Sequence, residues 1–321
     1  MIEILLLVIG IFLLIKGASY LVDGASALAK KFGVPTLVIG LTIVALGTSM
    51  PEFIVNVLAA INGSTEIAFG NIIGSNIANI LLILGLTAAI TPIKVQKSTV
   101  WKEIPFALLA VIVLIVVSNY HSIDNIELNV LTRVAGIIMI LFSIIFFYYS
   151  VEIGRKGKEE LENEKVDIHT HSGHVITLMI VGGLVALYFG GKWVVDGAIF
   201  IAKAFGLSEF LISATIIAVG TSLPELVTSF IAAKRKDPDI VVGNIVGSNI
   251  LNILVILGVT AVISPVIIPS FINADMFVML GATLLLFAAL FVGNKHEIKR
   301  WQGFVFLAIY IAYVVFIIMR G

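Results

Sequence analysis

The sequence predicts an all-α integral membrane protein with ten transmembrane helices, arranged as two inverted five-helix repeats with broken helices at the midplane. Three observations carry this. Of the 321 residues, 60% are hydrophobic and only 12% charged, with mean hydropathy +1.13; an ordinary soluble domain carries about 25% charged residues. The apolar residues gather into runs of roughly 20 or more, long enough to cross a ~30 Å hydrocarbon core. Residues 17–93 align with 190–266 without gaps at a constant offset of 173, and about half the positions are identical.

The predicted spans are 3–29, 36–61, 67–90, 104–119, 127–150, 174–202, 209–233, 240–263, 274–293 and 302–319. They read as helices because the alternation of a membrane barrel strand is absent. The first run begins with Glu3 rather than a basic segment, and the repeat makes it the counterpart of an internal span. It is therefore read as a retained helix, not a signal peptide. The longest polar stretch divides the chain into a first repeat, 1–150, a charged cytoplasmic linker, 151–173, and a second repeat, 174–321. Basic residues concentrate after spans one, three, five, seven and nine: Lys30 and Lys31; Lys94, Lys97 and Lys102; Arg155, Lys156, Lys158 and Lys165; Lys234, Arg235 and Lys236; Lys295, Lys299 and Arg300. The alternate connections hold only Lys203, with Arg320 in the tail. By the positive-inside rule both termini face outward across a cell membrane. Five spans per half invert the second copy, an arrangement whose substrate site lies near the midplane on discontinuous helices.

Composition excludes several functions. There is no cysteine, so neither disulfides nor thiolate metal sites can form. Net charge is zero, which leaves no basic surface for nucleic acid. No phosphate-binding or dinucleotide-binding glycine motif is present, and no cofactor is expected. Histidines occur only at 121, 169, 171, 174 and 296, at or outside span ends. That offers no buried hydrolytic pair, so no enzyme is expected.

The polar residues inside the spans point to ions. Gly47-Thr48-Ser49-Met50-Pro51-Glu52 repeats as Gly220-Thr221-Ser222-Leu223-Pro224-Glu225, and Gly70-Asn71-Ile72-Ile73-Gly74-Ser75-Asn76 as Gly243-Asn244-Ile245-Val246-Gly247-Ser248-Asn249. Asn79 matches Asn252. An acidic residue near the bilayer centre is costly and marks a functional site. Each Glu follows a proline, which cannot donate a backbone hydrogen bond and clashes with the preceding turn. The carbonyls of Ala45 and Ala218, and of the nearby threonines, are expected to lose their intrahelical partners, and at membrane depth they need protein, water or an ion. Ser75 and Asn79, like Ser248 and Asn252, lie four residues apart on one helix face, with glycines for close helix approach. Two helices from each half then offer carboxylate, hydroxyl and amide oxygens with no basic residue among them. That is a site for hard cations such as Ca2+, which takes six to eight oxygens. Two buried carboxylates left without ions would be costly, so loaded states should cross between the two faces more readily than empty ones, the basis of obligatory exchange.

The doubled motif resembles the two alpha repeats of sodium/calcium exchangers in the calcium/cation antiporter superfamily. The resemblance implies a carrier that exchanges Na+ for Ca2+ by alternating access, with these ions and the lipid bilayer as its partners. It implicates Glu52 and Glu225 as ligands shared by both ions. It adds the carbonyls of Thr48 and Thr221 at the Ca2+ position. It makes Ala45 with Ser49 and Ser75, and Ala218 with Ser222 and Ser248, flanking Na+ positions, and has Asn79 and Asn252 line the middle. Asn at these last two positions, where K+-dependent exchangers look to Asp, implies K+-independent exchange. Ile72 and Ile245 after Gly-Asn speak against the proton-coupled branch, although Ca2+/H+ exchange stays the nearest alternative; a passive cation channel stands further off. A monomer is the expected functional unit.

Other polar groups have plainer readings. Asp23 and Asp196 are assigned helix-end or packing roles, and Lys16 and Lys192 are expected to snorkel or pair. The histidines at 169, 171 and 174 and the acidic run Glu159, Glu160, Glu162 and Glu164 read as solvated linker. Aromatics such as Trp101, Tyr120, Trp301 and Tyr313 suit interfacial anchors.

Overall fold

The computed structural model describes residues 2–63, 65–119, 130–163, 171–204, 218–268, 272–293 and 295–320. The helices are α1 (Ile2–Phe32), α2 (Thr36–Thr48), α3 (Met50–Ile61), α4 (Ile67–Ile90), α5 (Lys97–Ser118), α6 (Arg133–Asn163), α7 (Gly173–Ala204), α8 (Leu223–Lys234), α9 (Pro238–Ile263), α10 (Ile272–Ala289) and α11 (Arg300–Arg320). Eight of them are long and apolar enough to cross a membrane, or nine if the bent pair α2–α3 is one span. The span expected at 209–233 is described only from Ala218–Gly220 onward into α8; residues 209–217, like 127–129, Tyr120 and His169, lie outside the described residues.

Span two is broken as the sequence predicts. Pro51 sits in the first turn of α3, where its missing N–H is tolerated, and α2 meets α3 at 47°. The hinge is Ser49 (φ −82°, ψ 9°), and its repeat partner Ser222 has nearly the same backbone (φ −88°, ψ 8°). Wider π-helical turns at Gly40–Val44, Ala78–Leu84 and Asn252–Leu257 flank the same level, a geometry common near functional sites.

The two long first helices of the halves, α1 and α7, run antiparallel in close contact. A Cβ on Gly10 would stand 2.8 Å from the Gly190 carbonyl oxygen, and one on Gly17 would stand 2.8 Å from that of Gly183. α9 approaches α2 as closely: a Cβ on Gly243 would lie 2.9 Å from the Leu37 carbonyl oxygen. The expected close approach of span eight therefore holds. The repeat-related neighbours of Gly70 and Gly74 fall within 210–218, where the surroundings are not described.

The all-helical expectation holds; beside the helices the described connections carry four two-residue strands, and two other expectations need correction. Ile93–Lys94 (β1) pairs with Glu297–Ile298 (β4), and Val130–Leu131 (β2) with Val266–Ile267 (β3), both antiparallel. They lie in the connections, too short for their apolar residues to show a period. Residues 151–163 of the expected linker continue α6 as helix, supported by a Glu152–Lys156 pair one turn apart. Asp23 does more than end a helix: it forms an ion pair with Arg235, which also donates to Ser19. At the same end Ser26 and Thr36 donate to Asp237, and Gln96 donates to Asp239. This end carries Lys30, Lys94 and Lys234 and is called the basic face below.

Candidate cation site

Glu52 and Glu225 open α3 and α8 immediately after the two breaks, and each is 1% exposed. The serine hinge of each half reaches the glutamate of the other. Ser49 Oγ donates to Glu225 Oε1 at 2.9 Å, and Ser222 Oγ donates to Glu52 Oε1 at 3.2 Å. Ser75 also donates to Glu52 Oε1, at 3.4 Å. The two carboxylates thus lie together at the contact between the halves, and no ion pair reaches either among the described residues.

The threonines are tied by a second reciprocal set. Thr48 Oγ1 donates to Asn244 Oδ1 at 2.9 Å, and Thr221 Oγ1 donates to Asn71 Oδ1 at 3.4 Å. Asn244 in turn donates to Ser229 Oγ (3.0 Å) and the Glu225 carbonyl (3.4 Å), while Asn56 donates to the Glu52 carbonyl (2.6 Å). Asn79 Nδ2 donates to Asn249 Oδ1 at 2.9 Å, and Asn249 Nδ2 to the Asn76 carbonyl at 3.3 Å. Asn71, Asn76, Asn244 and Asn249 were not singled out from sequence, although their identity in both halves was the available signal.

The Ala45 carbonyl differs from expectation. It keeps its helical partner, the Ser49 N–H (3.1 Å), and also accepts from Thr48 Oγ1 (3.3 Å) and Ser248 Oγ (3.4 Å). The reason is register: proline removes the donor for the carbonyl four residues earlier, that of Gly47, not that of Ala45. Ala218 begins the described part of its span, and its surroundings are not described.

The site's acceptors are left partly unused. Glu52 Oε2, Glu225 Oε2, Asn79 Oδ1 and Asn252 Oδ1 are all buried without a hydrogen-bond partner. They form two repeat-related pairs. A buried carboxylate oxygen without a donor is costly, whereas a hard cation satisfies several such oxygens together. Among the described residues no group of three or more His, Cys, Asp or Glu forms, here or elsewhere; the site rests on two carboxylates with neutral oxygens around them.

Helices of this length and hydropathy, closed round a buried acidic centre that has no base, define a multi-pass helical membrane protein. Its family model is that of the sodium/calcium exchanger proteins, matched over residues 2–152 and 175–319, and the chain belongs to that family. The sodium/calcium exchanger MaX1 of Methanosarcina acetivorans is 32% identical over 98% of each chain. The inner membrane protein YrbG of Escherichia coli is 34% identical, covering 87% of this chain and 86% of its own. The solved structure of the sodium-calcium exchanger NCX_Mj superposes with a TM-score of 0.82 at 34% identity, covering 98% of each chain.

Proposed function

We propose that this chain is a secondary antiporter that exchanges Na+ for Ca2+ across a cell membrane by alternating access, without requiring K+. The observation that carries the reading is the set of four unpartnered buried acceptor oxygens, from Glu52, Glu225, Asn79 and Asn252, with no basic residue at hand. One Ca2+ or two Na+ balances the two carboxylates. The asparagines at 79 and 252 add oxygen without charge, so the site has no third negative group to hold a co-transported K+.

In this reading Glu52 and Glu225 serve both ions, and the carbonyls of Thr48 and Thr221 join them around Ca2+. Ser49 and Ser75 with Ala45, and Ser222 and Ser248 with Ala218, take Na+ on either side. The donors now engaged, Ser49 and Ser222 above all, turn their lone pairs to an ion when one arrives. Ten spans in two inverted sets of five would carry this site, with both termini outside, the chain acting as a monomer. Membership of the exchanger family and the reciprocal hinge-to-glutamate contacts support that architecture.

The test is Ca2+ uptake into proteoliposomes under an outward gradient of Na+, K+ or H+ in turn. Uptake under Na+ drive alone, abolished by Glu52→Gln and by Glu225→Gln, is expected. Uptake driven by H+ and indifferent to Na+ would replace the reading with Ca2+/H+ exchange.

A further inference from the structure

Two adjoining cavities, each of about 210 Å3, lie against the helix breaks and share Pro51, Ile54, Tyr188 and Pro224 as lining. The prolines directly precede the two glutamates, and Thr221, also on the wall, directly precedes the Ser222 that donates to Glu52. These cavities thus border the residues next to the cation site. They lie toward the end of the bundle away from the basic face, because α7 there packs on the start of α1: a Cβ on Gly197 would touch Leu7 and the Glu3 carbonyl.

The walls are mostly apolar, and among the described residues the charged ones lining either cavity are Lys192 and Asp196 of α7. Both are exposed, and no ion pair joins them or neutralises either among the described residues. At the repeat-related place on α1, Ser19 stands for Lys192, and Asp23 stands for Asp196. There the carboxylate is ion-paired with Arg235. The repeat therefore keeps the carboxylate at both ends, but the cation at this mouth is an addition of the second half alone. Lys192 lines the first cavity together with Thr221 and Pro224, so its charge lies on the same wall as the residues that precede Ser222 and Glu225.

We propose that Lys192 is a specificity-determining residue of this mouth, holding down the apparent affinity for Ca2+ from that face more strongly than that for Na+, with Asp196 offsetting part of its field. The inference rests on the exchange reading above. Its physics is simple: a fixed potential acts on an ion in proportion to charge, so a divalent ion feels twice the energy of a monovalent one. Whatever factor removal of the ammonium gives Na+ per ion, Ca2+ gains the square of it.

The chain has no cysteine, so Lys192→Cys introduces a single thiol. In proteoliposomes holding the full-length variant, half-saturating external Ca2+ is expected to fall by roughly three- to tenfold, and that for Na+ by about the square root of this factor. A membrane-impermeant thiol reagent that attaches an ammonium group should restore the original values for molecules whose mouth faces the bath. A neutral reagent of equal size should not. Labelled and unlabelled protein come from one preparation, so folding drops out of the comparison; Lys192→Met and Lys192→Arg provide a second pair, charge lost and charge kept. Unchanged Ca2+ dependence, equal shifts for the two ions, or restoration by the neutral reagent would overturn the inference while leaving exchange intact. Absence of Na+-driven Ca2+ uptake in the unaltered chain would overturn both.

Discussion

Ser49 in the first half donates its hydroxyl proton to Glu225 in the second, at 2.9 Å, and Ser222 returns the contact to Glu52 at 3.2 Å. Each half therefore closes the other's acidic site. Hydrogen bonds to charged groups contribute about 1.5–3 kcal/mol. Ser49→Ala or Ser222→Ala removes that donor, and the oxygen with it that would face Na+. Loss of the hydrogen bond destabilises only the ion-free site, so the expected weakening of apparent Na+ affinity comes from the lost ligand oxygen. Ca2+ affinity should change less. The measurement is Na+ dependence of Ca2+ uptake; equal losses for both ions would remove the serines from the Na+ positions.

A site with unpartnered buried acceptors should be stabilised by the ions that fill it. A ligand bound only by the folded chain adds about 2.7 kcal/mol at a hundred times its Kd. Added Ca2+ is therefore expected to raise the detergent-solubilised protein's Tm by several degrees, and K+ at equal ionic strength is not. Glu52→Gln and Glu225→Gln should lose the Ca2+ response, and each variant should be more stable than the ion-free parent because one buried charge is gone. Scanning calorimetry or a thermal-shift assay decides it; a Ca2+ response that survives both substitutions would place the ion elsewhere.

Much of this was legible from the chain. The proline that breaks span two, the paired Ser75 and Asn79 and the acidic residue after each break could be read because membrane depth makes a polar side chain expensive, so each one stands out. Partners across the halves could not. That Thr48 would meet Asn244 rather than a residue of its own half depends on how inverted copies interlock, and one linear sequence does not carry that relation. The Ala45 carbonyl departs from the sequence expectation for a local reason, a register of two residues at the proline. The helical run of 151–163 is not legible because a stretch rich in Glu and Lys suits a solvated helix and a solvated linker equally.

Gly247 stands where α9 crosses α2. A Cβ there would lie 2.6 Å from the Leu41 carbonyl oxygen and 2.8 Å from Ala45 Cβ, and backbone cannot yield as a flexible side chain can. Overpacking of this kind costs about 1–3 kcal/mol. Gly247→Val is expected to lower Tm and to reduce exchange, since it pushes α2 beside Ala45 and Ser248. Gly281, inside α10 with nothing within 4 Å of a Cβ, is the control. There Gly281→Ala should be neutral or stabilising by up to ~1 kcal/mol from helix propensity.

The last helix is fastened by a charge the site does not use. Asp275, in the first turn of α10, is buried and held from two sides: Arg320 near the end of α11 spans both carboxylate oxygens at 3.2 and 2.9 Å, and Tyr313 donates at 3.2 Å. Breaking a buried pair by removing one partner costs about 3–5 kcal/mol, because the other charge is stranded, while removing both is far milder. Arg320→Gln should therefore lower Tm more than the double change Asp275→Asn with Arg320→Gln. The inequality matters more than either value: a double variant at least as unstable as the single one would mean that the pair contributes packing and not electrostatics. Exchange in the double variant should stay near that of the parent, because Asp275 and Arg320 contact neither glutamate.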